Sequence, residues 1–463
     1  MKHRRIVAFT IAIILGAGCL AACSDKGDTN EDSGLGSDET VSDTETETEA
    51  ETDTEAETDT ETDTETDTET DTETDTETDT ETDTETDTET DTETDTDTEA
   101  DTDDDDGKEE EDLTSKLYKI TSKTEGVKVL GVRNLASENG LHMDWTCSGA
   151  EFGIDLKGGS IRLSFTVSDS CYFRIWVDGV EYKQNGSPYF TVLKSNPTIN
   201  LTDVPVGRHT VKVMKVTGYT LAQAELTGVI FAGSMLTDAV DTSDKDLYIE
   251  FVGDSITCGW GTIGEHGGAY TDQDGTLAYP YLVAQALNAD YSMTALSGQG
   301  LLCGDPGVTN GYLYADPRGN SDIQYDFARK ADVVVINIGT NDYWNDGVSS
   351  SSFRTAYLNF LRTVREKNGD ECKILCLYNT MNDTYANAIL SAVKEFGGEL
   401  EGVSVYKLNR ADGNHHPNAQ EHIAYFNVLK EIIPELPGKF IPDITVIPSG
   451  DGSKDSIDWK ENS

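Results

Sequence analysis

A long segment near the amino terminus restricts the folded part of this chain to the residues that follow it. From Thr44 to Thr98 nearly every second residue is Thr, and the residue between is almost always Asp or Glu. Alternation with a period of two is typical of strands, but no apolar face exists here to offset the entropy lost on ordering, and like charges two residues apart repel. We therefore predict a disordered tether over residues 24–112.

The net charge of the protein is concentrated in the same segment. The chain has 463 residues, with 87 acidic and 34 basic side chains and a formal net charge of −53. Between Asp25 and Asp112 lie 44 of the acids and two lysines, so the rest of the chain is only moderately acidic. A protein this negative is repelled by nucleic-acid phosphates and by anionic headgroups. We therefore exclude nucleic acid as a partner, and the roughly 350 remaining residues suffice for two domains.

The first residues look like a bacterial lipoprotein signal. Three basic residues lie within the first five positions, a mostly apolar stretch follows at 6–20, and small residues lead to Cys23. An apolar run of about 15 residues is shorter than the ~20 of a membrane span. We predict a signal peptide with its lipobox over residues 1–23, and lipid on Cys23 as the only membrane anchor at an extracytoplasmic cell surface. An ordinary secretory signal or an uncleaved anchor is the alternative.

The first part of the folded region shows strand periodicity. Apolar and polar residues alternate over 160–167, 172–177 and 209–214, and turn residues such as Asp178-Gly179 separate the runs. No stretch of this part has helical periodicity. Many short strands at this spacing favour an all-β sandwich of the jelly-roll type, which we predict over residues 113–238.

Beyond this region, strands alternate with helices. The predicted strands lie at 247–252, 291–296, 333–338, 373–378 and 403–408, and the predicted helices at 279–287, 323–330, 353–366, 385–396 and 419–433. Such a series indicates an α/β domain with a parallel sheet and helices on both faces, over residues 239–440. Residues 441–463 are predicted to be a polar tail.

Three of the predicted strand ends carry residues suited to acyl transfer. Ser255 follows the first strand, Asn341 follows the third, and His415 and His416 follow the last. Because the carboxyl ends of parallel strands share one edge of the sheet, these residues are expected to lie together. They can supply a nucleophile, an oxyanion donor and a general base. The chain has no G-x-S-x-G elbow, which disfavours the common α/β-hydrolase layout.

Four blocks of sequence resemble those of the SGNH hydrolases. In chain order they are Gly253-Asp254-Ser255-Ile256-Thr257, Ser297-Gly298, Gly339-Thr340-Asn341-Asp342 and His416-Pro417. With a β-sandwich in front, the resemblance narrows to carbohydrate esterase family 2, which deacetylates plant cell-wall polysaccharides. It covers roughly residues 113–438. It implies a flavodoxin-like three-layer domain behind a jelly roll.

The resemblance also implies roles for individual residues. Ser255 would be the nucleophile, and His416 would be the general base. The backbone N–H groups of Ser255 and Gly298 and the side chain of Asn341 would form the oxyanion hole.

The last block departs from the usual pattern of the family. An acid commonly lies two or three residues before the catalytic histidine, whereas Asp412 lies four residues before His416 and three before His415. His415 therefore stays an alternative base. Either Asp412 or a backbone carbonyl would orient the imidazole.

Other candidate residues lie beside these blocks. Trp260, Tyr343 and Trp344 follow catalytic blocks, so they are candidates for an aromatic wall that binds a sugar ring, with core packing as the alternative. The two adjacent histidines have no third ligand at a suitable spacing, and no His-Glu-x-x-His motif exists. We expect no metal and no cofactor.

Six cysteines remain after Cys23. An exported chain permits disulfides, and the candidate pairs are Cys147 with Cys171 and Cys258 with Cys303. Free buried thiols are the alternative.

The sequence therefore predicts a monomeric serine esterase. Its expected substrate is an acetylated polysaccharide, either acetylxylan or acetylated glucomannan, and the reaction passes through an acyl-serine. A non-catalytic carbohydrate-binding lipoprotein and an SGNH esterase for another acylated glycan or lipid are the alternatives.

Overall fold

The structure is a computed structural model. It describes residues 114–135, 137–264, 269–304, 307–316, 323–345, 347–409, 415–440, 443–447 and 456–460. The predicted signal peptide with Cys23, the predicted tether and Asp412, the candidate to orient the imidazole, lie outside these residues.

The first part of the described chain consists of antiparallel strands. They are β1 (Ser115–Lys119), β2 (Val127–Leu130), β3 (Leu141–His142), β4 (Gly149–Val167), β5 (Cys171–Val177), β6 (Val180–Tyr182), β7 (Phe190–Val192), β8 (Thr198–Leu201), β9 (Gly207–Lys215) and β10 (Ala224–Leu236). The central strand β4 pairs with β10 and with β9, and all pairings among the ten described strands are antiparallel.

Apolar positions that alternate along these strands form one core. In β5 every second residue from Cys171 to Ile175 is buried, as the alternating pattern requires for a strand with one face inward. The core includes Phe152 and Phe231 from the two longest strands. Asp178 and Gly179 both have positive φ, at 51° and 75°, and connect β5 to β6. A two-residue turn of this kind matches the twist of the flanking strands.

The second part contains a five-stranded parallel sheet. Its strands are β11 (Tyr248–Gly253), β12 (Asp290–Ala295), β13 (Val333–Asn337), β14 (Lys373–Tyr378) and β15 (Val403–Lys407). Their order is β12-β11-β13-β14-β15, and every neighbouring pair is parallel. The predicted α/β domain with a parallel sheet is thereby confirmed.

Helices cover both faces of this sheet. They are α1 (Ser255–Cys258), α2 (Tyr279–Ala286), α3 (Val308–Gly311), α4 (Thr340–Asn345), α5 (Ser350–Asn368), α6 (Ala386–Phe396) and α7 (Ala419–Ile432). Along β13, Val334 and Ile336 pack with residues of α5 and α6, whereas Val333 and Val335 pack with residues of α2 and α7. A central strand buried on both faces must be apolar throughout, which explains the continuous run of this strand.

The predicted helix at 323–330 is wrong. Gln324 forms an isolated β-bridge with Tyr314, and Phe327 has a φ of 51°, which a right-handed helix does not allow. The rings of Tyr325 and Phe327 instead lie 4.2 and 4.8 Å from the Arg133 guanidinium. A tertiary contact with the antiparallel region thus overrides the local periodicity.

The predicted polar tail includes a pair of antiparallel strands. They are β16 (Asp443–Ile447) and β17 (Ser456–Lys460).

The antiparallel region and the parallel domain share buried contacts. The Arg133 Nε donates to Glu250 Oε1 of β11 at 2.6 Å, and both side chains are almost fully buried. Met214 of β9 belongs to the same apolar core as Phe251 of β11, and the Tyr291 hydroxyl donates to the Cys147 carbonyl oxygen. The two regions therefore fold against each other as one compact unit.

The cysteines of the described residues are free thiols. All six are buried, and none of them forms a disulfide in the structure. The alternative of buried thiols therefore holds for both candidate pairs. Among the described helices, none is both long enough and apolar enough to cross a membrane.

Candidate active site

The strand order brings the predicted site residues to one edge of the sheet. In a parallel sheet of this order, the chain leaves β11 towards β12 on one side and then continues with β13 on the other side. A crevice forms outside the carboxyl ends of the strands where the direction reverses, which here is between β11 and β13. Ser255 follows β11, and Asn341 lies in the first turn of the helix after β13. His416 lies between β15 and α7.

Local geometry places Ser255 at the start of a short helix. Asp254 caps this helix, because its Oδ1 accepts the Ile256 N–H at 3.0 Å. A side chain at Gly253 would collide with the Thr257 side chain and with the Asn337 carbonyl oxygen. A glycine therefore permits the tight turn from strand to helix that presents the serine.

His416 contacts Ser255, and His415 does not. The His416 Nε2 lies 2.8 Å from the Ser255 Oγ. The His415 ring is exposed, and its Nε2 lies 3.3 Å from a Glu421 carboxylate oxygen. Asn418 and Glu421 form a capping box that fixes the chain directly after His416. The histidine at hydrogen-bonding distance from the serine is thus the one aligned on His416-Pro417.

The environment of His416 favours its neutral form. Burial lowers the pKa of His416 below its ordinary value of 6.5, and the charge of His415 lowers it further. A neutral imidazole at neutral pH can accept a proton from the serine hydroxyl.

Two groups that follow β12 and β13, the strands on either side of β11, can donate to an oxyanion. The Asn341 Nδ2 donates one hydrogen to the Gln299 carbonyl oxygen at 2.8 Å, and a primary amide carries a second. Gly298 is exposed, has a φ of +82°, and has no atom within 4 Å of the position of a Cβ. Glycine adopts this conformation without strain and leaves open space beside its backbone.

The sequence analysis missed the role of Asp342. This buried carboxylate accepts the backbone N–H groups of Leu301 at 2.7 Å and Leu302 at 2.8 Å. It thereby ties the loop that contains Gly298 to the helix that carries Asn341. Its position directly after Asn341 in the third block was the available signal.

Asp254 is a second buried carboxyl group beside the site. Burial raises the pKa of Asp254 to about 7; its hydrogen bond from Ile256 opposes this rise, and the charge of Asp342 adds to it. Among the described residues, no partner contacts its Oδ2. Its one clear contact is the cap of α1, which is a structural role.

The three candidate aromatic residues lie in different environments. The Trp260 ring is half-buried, and its centroid lies 6.5 Å from that of the His416 imidazole. Tyr343 and Trp344 are 46% and 56% exposed and form an edge-to-face pair at 5.2 Å. Their exposure argues against the core-packing alternative for Tyr343 and Trp344. In the described part of the chain, no group of three or more His, Cys, Asp or Glu residues is arranged to hold a metal ion.

Comparison with known proteins places this geometry in a family context. Residues 251–426 match the GDSL-like Lipase/Acylhydrolase family. This chain carries a GDSL/SGNH-type acylhydrolase domain. The cellulase/esterase CelE of Acetivibrio thermocellus is 30% identical over 266 residues, which is 55% of this chain and 31% of CelE. The chain thus spans about a third of the length of that relative.

Two further relatives match over most of their own length. An acetylxylan esterase / glucomannan deacetylase of Cellvibrio japonicus is 26% identical over 310 residues, which is 60% of this chain and 81% of the relative. The structure of a family two carbohydrate esterase from Clostridium thermocellum in complex with cellohexaose is similar at a TM-score of 0.58 and 25% identity. This similarity covers 67% of this chain and 98% of that one. The chain is therefore homologous to family 2 carbohydrate esterases.

Proposed function

We propose that this protein is a serine esterase that removes O-acetyl groups from plant cell-wall polysaccharide, namely acetylxylan or acetylated glucomannan. The observation that carries the proposal is the 2.8 Å contact between the Ser255 Oγ and the His416 Nε2 at the carboxyl edge of the parallel sheet. A serine hydroxyl and a neutral imidazole in this geometry can act as a nucleophile and its general base.

In the proposed acylation step, His416 Nε2 takes the hydroxyl proton of Ser255 while the Oγ bonds to the acetyl carbon. The negative charge on the former carbonyl oxygen is stabilised by the Asn341 amide and the backbone N–H groups of Gly298 and Ser255. The bond between the acetyl carbon and the sugar oxygen then breaks. His416 gives its proton to that sugar oxygen, and the acetyl group stays on Ser255.

In the proposed deacylation step, a water molecule takes the place of the sugar. His416 removes a proton from the water as its oxygen bonds to the acetyl carbon. The bond to the Ser255 Oγ breaks, acetate leaves, and the serine recovers its proton from His416. Asp412 or a backbone carbonyl would hold the imidazole in the required orientation.

The aromatic residues beside the site support a carbohydrate substrate. Trp260 lies next to His416, and Tyr343 and Trp344 are exposed two and three residues after Asn341. Exposed rings of this kind bind the apolar faces of sugars, and a cluster of them on a surface marks a binding site. The activities of the curated relatives point to the same class of substrate.

We propose the remaining features on sequence grounds. The antiparallel region would be a jelly-roll sandwich, and lipid on Cys23 would anchor the protein outside the cell. The acidic segment over residues 24–112 would hold a monomeric enzyme away from the membrane.

The experiment that tests the function is release of acetate from acetylated xylan and glucomannan. Release by the parent, but not by Ser255→Ala or His416→Ala, would support the mechanism and the substrate class together. Activity that survives His416→Ala but not His415→Ala would overturn the choice of base. Cleavage of an aryl acetate without release from either polysaccharide would refute the substrate. No turnover of any ester by the folded protein would favour a non-catalytic carbohydrate-binding lipoprotein.

A further inference from the structure

A cavity of about 770 Å³ lies between the antiparallel region and the parallel domain, away from Ser255. Its wall includes Leu247 and Asp290, which lie at the amino ends of β11 and β12, whereas Ser255 follows the carboxyl end of β11. Ligand sites commonly occupy about 300–1,000 Å³ and often lie between domains. The cavity therefore has the size and the position of a binding site.

One wall of the cavity is a row of charged side chains that crosses the antiparallel strands. Lys128 of β2 lies opposite Glu151 of β4, and Glu151 lies opposite Lys212 of β9. Lys212 in turn lies opposite Trp176 of β5. Residues directly opposite each other in antiparallel strands point to the same face, and the three charged members of the row line the cavity.

The charged side chains of this row do not form ion pairs with one another. Among the described residues, Lys212 and Glu151 form no ion pair within 4 Å although they are cross-strand neighbours, and no hydrogen-bond acceptor contacts the Lys212 amine. The Lys212 Nζ lies 4.1 Å from the centroid of the Trp176 ring. Burial lowers the pKa of Lys212, Glu151 raises it, and the charges of Arg174 and Lys245 lower it further. An anion in the cavity would relieve this unmatched charge.

The opposite wall adds another amine, while its central carboxylate is already satisfied. The Asp290 carboxylate accepts the Lys245 backbone N–H at 2.9 Å and Arg329 Nη1 at 2.6 Å, and it lies 3.5 Å from the Lys128 amine. The Lys245 amine has one long contact, to the Ala289 carbonyl oxygen at 3.3 Å. Lys245 therefore keeps donors for a ligand. Two other carboxylates of the cavity wall also have partners: Asp244 lies 3.1 Å from Arg329 Nη1, and Asp241 accepts the backbone N–H of Ser243 at 3.0 Å.

We propose that this cavity is a second ligand site, which binds a sugar that carries a carboxylate. Lys212 and Lys245 would hold the ligand carboxylate by charge-assisted hydrogen bonds. Glu151, Asp246 and Asn288, which also line the cavity, would accept hydrogen bonds from its hydroxyls. A neutral sugar would leave the two amines without a partner, and an inorganic anion would leave most of the volume unfilled.

This proposal does not depend on the esterase reaction, because the cavity and Ser255 lie at opposite edges of the sheet. The test is calorimetric titration of the full-length protein with glucuronate and galacturonate as probes. Glucose and inorganic phosphate serve as comparison ligands. The expected result is saturable binding of one uronate per chain, also in Ser255→Ala.

Variants locate the site. Lys212→Met and Lys245→Met are each expected to weaken uronate binding by about tenfold or more, the usual consequence of losing one charge-assisted contact. Lys183→Met removes a half-exposed lysine on another part of the antiparallel region and is expected to bind like the parent. Melting temperature and turnover of an aryl acetate show whether each variant is folded.

Three outcomes would overturn the proposal. The first is the absence of saturable uronate binding by folded parent protein. The second is binding that both lysine variants retain at full strength. The third is binding of glucose or phosphate as tight as that of the uronates, which would show that the site does not select an acidic sugar.

Discussion

Replacement of Asn341 by alanine tests the proposed oxyanion hole. In the structure, one hydrogen of the Asn341 amide is used by the Gln299 carbonyl oxygen, at 2.8 Å. The second hydrogen is the only side-chain donor that we assign to the oxyanion. The variant therefore removes a contact to the loop that contains Gly298 and, separately, a donor that matters most in the transition state.

Loss of the oxyanion donor affects the rate of the reaction, whereas loss of the hydrogen bond to Gln299 affects the stability of the fold. Loss of one oxyanion donor costs about 2.7–4 kcal/mol of barrier, or roughly 10²–10³ in kcat. Loss of an ordinary hydrogen bond, such as the one to Gln299, costs about 1 kcal/mol of folding free energy. We therefore expect Asn341→Ala to reduce kcat by two to three orders of magnitude, with little change in KM and a small decrease in stability.

The assay is steady-state hydrolysis of an aryl acetate and of acetylated xylan, with Asn359→Ala as the control on the exposed face of α5. Asn341→Asp keeps the shape of the side chain, but an ionised carboxylate donates no hydrogen bond. It should be at least as inactive as Asn341→Ala. A folded Asn341→Ala that keeps kcat within tenfold of the parent, or an active Asn341→Asp, would refute the assignment.

Three further predictions follow from the same structure. The value of kcat/KM should rise with pH with a midpoint below 6.5, because burial and His415 lower the pKa of His416; His415→Ala should move the midpoint of the pH–rate profile upward. Arg133→Met leaves the buried Glu250 carboxylate without its cation and should lower the free energy of unfolding in urea by about 3–5 kcal/mol, part of which Glu250→Gln should restore. Dithiothreitol should leave the melting temperature unchanged, because the described cysteines are free thiols; a decrease would indicate a disulfide.

The parallel sheet was well predicted from the sequence, because a strand that is buried on both faces consists almost entirely of apolar residues. The run from Val333 to Asn337 is apolar at its first four positions, which matches a central strand packed on both sides. The positions of Ser255 and Asn341 at the carboxyl edge of the sheet were also predictable, because they lie only two and four residues after the ends of β11 and β13. The preference for His416 over His415 came from the resemblance of His416-Pro417 to the last block of the family, since periodicity says nothing about which of two adjacent side chains turns inward.

What the sequence did not predict depends on contacts between distant segments. The residues from 323 to 330 have an apolar pattern that suits a helix, yet Tyr325 and Phe327 pack against Arg133, almost 200 positions earlier. Local propensity is weak compared with burial of a charged group among aromatic rings. The row of Lys128, Glu151 and Lys212 that lines the cavity is equally invisible in sequence, because it requires the register of β2, β4 and β9.

Hydrogen bonds also connect the antiparallel region to the edge of the sheet that carries Ser255 and His416. Arg174 of β5 donates to Asp274 at 3.1 Å, and the backbone N–H of Asp274 donates to the Thr262 hydroxyl at 2.8 Å. The Thr262 carbonyl oxygen accepts the Ala419 N–H at the start of α7, three residues after His416. A continuous chain of hydrogen bonds thus runs from a strand of the first region to the segment that follows Ser255 and to the helix that follows His416. A region that contributes neither Ser255 nor His416 is therefore hydrogen-bonded to the segments that follow both residues.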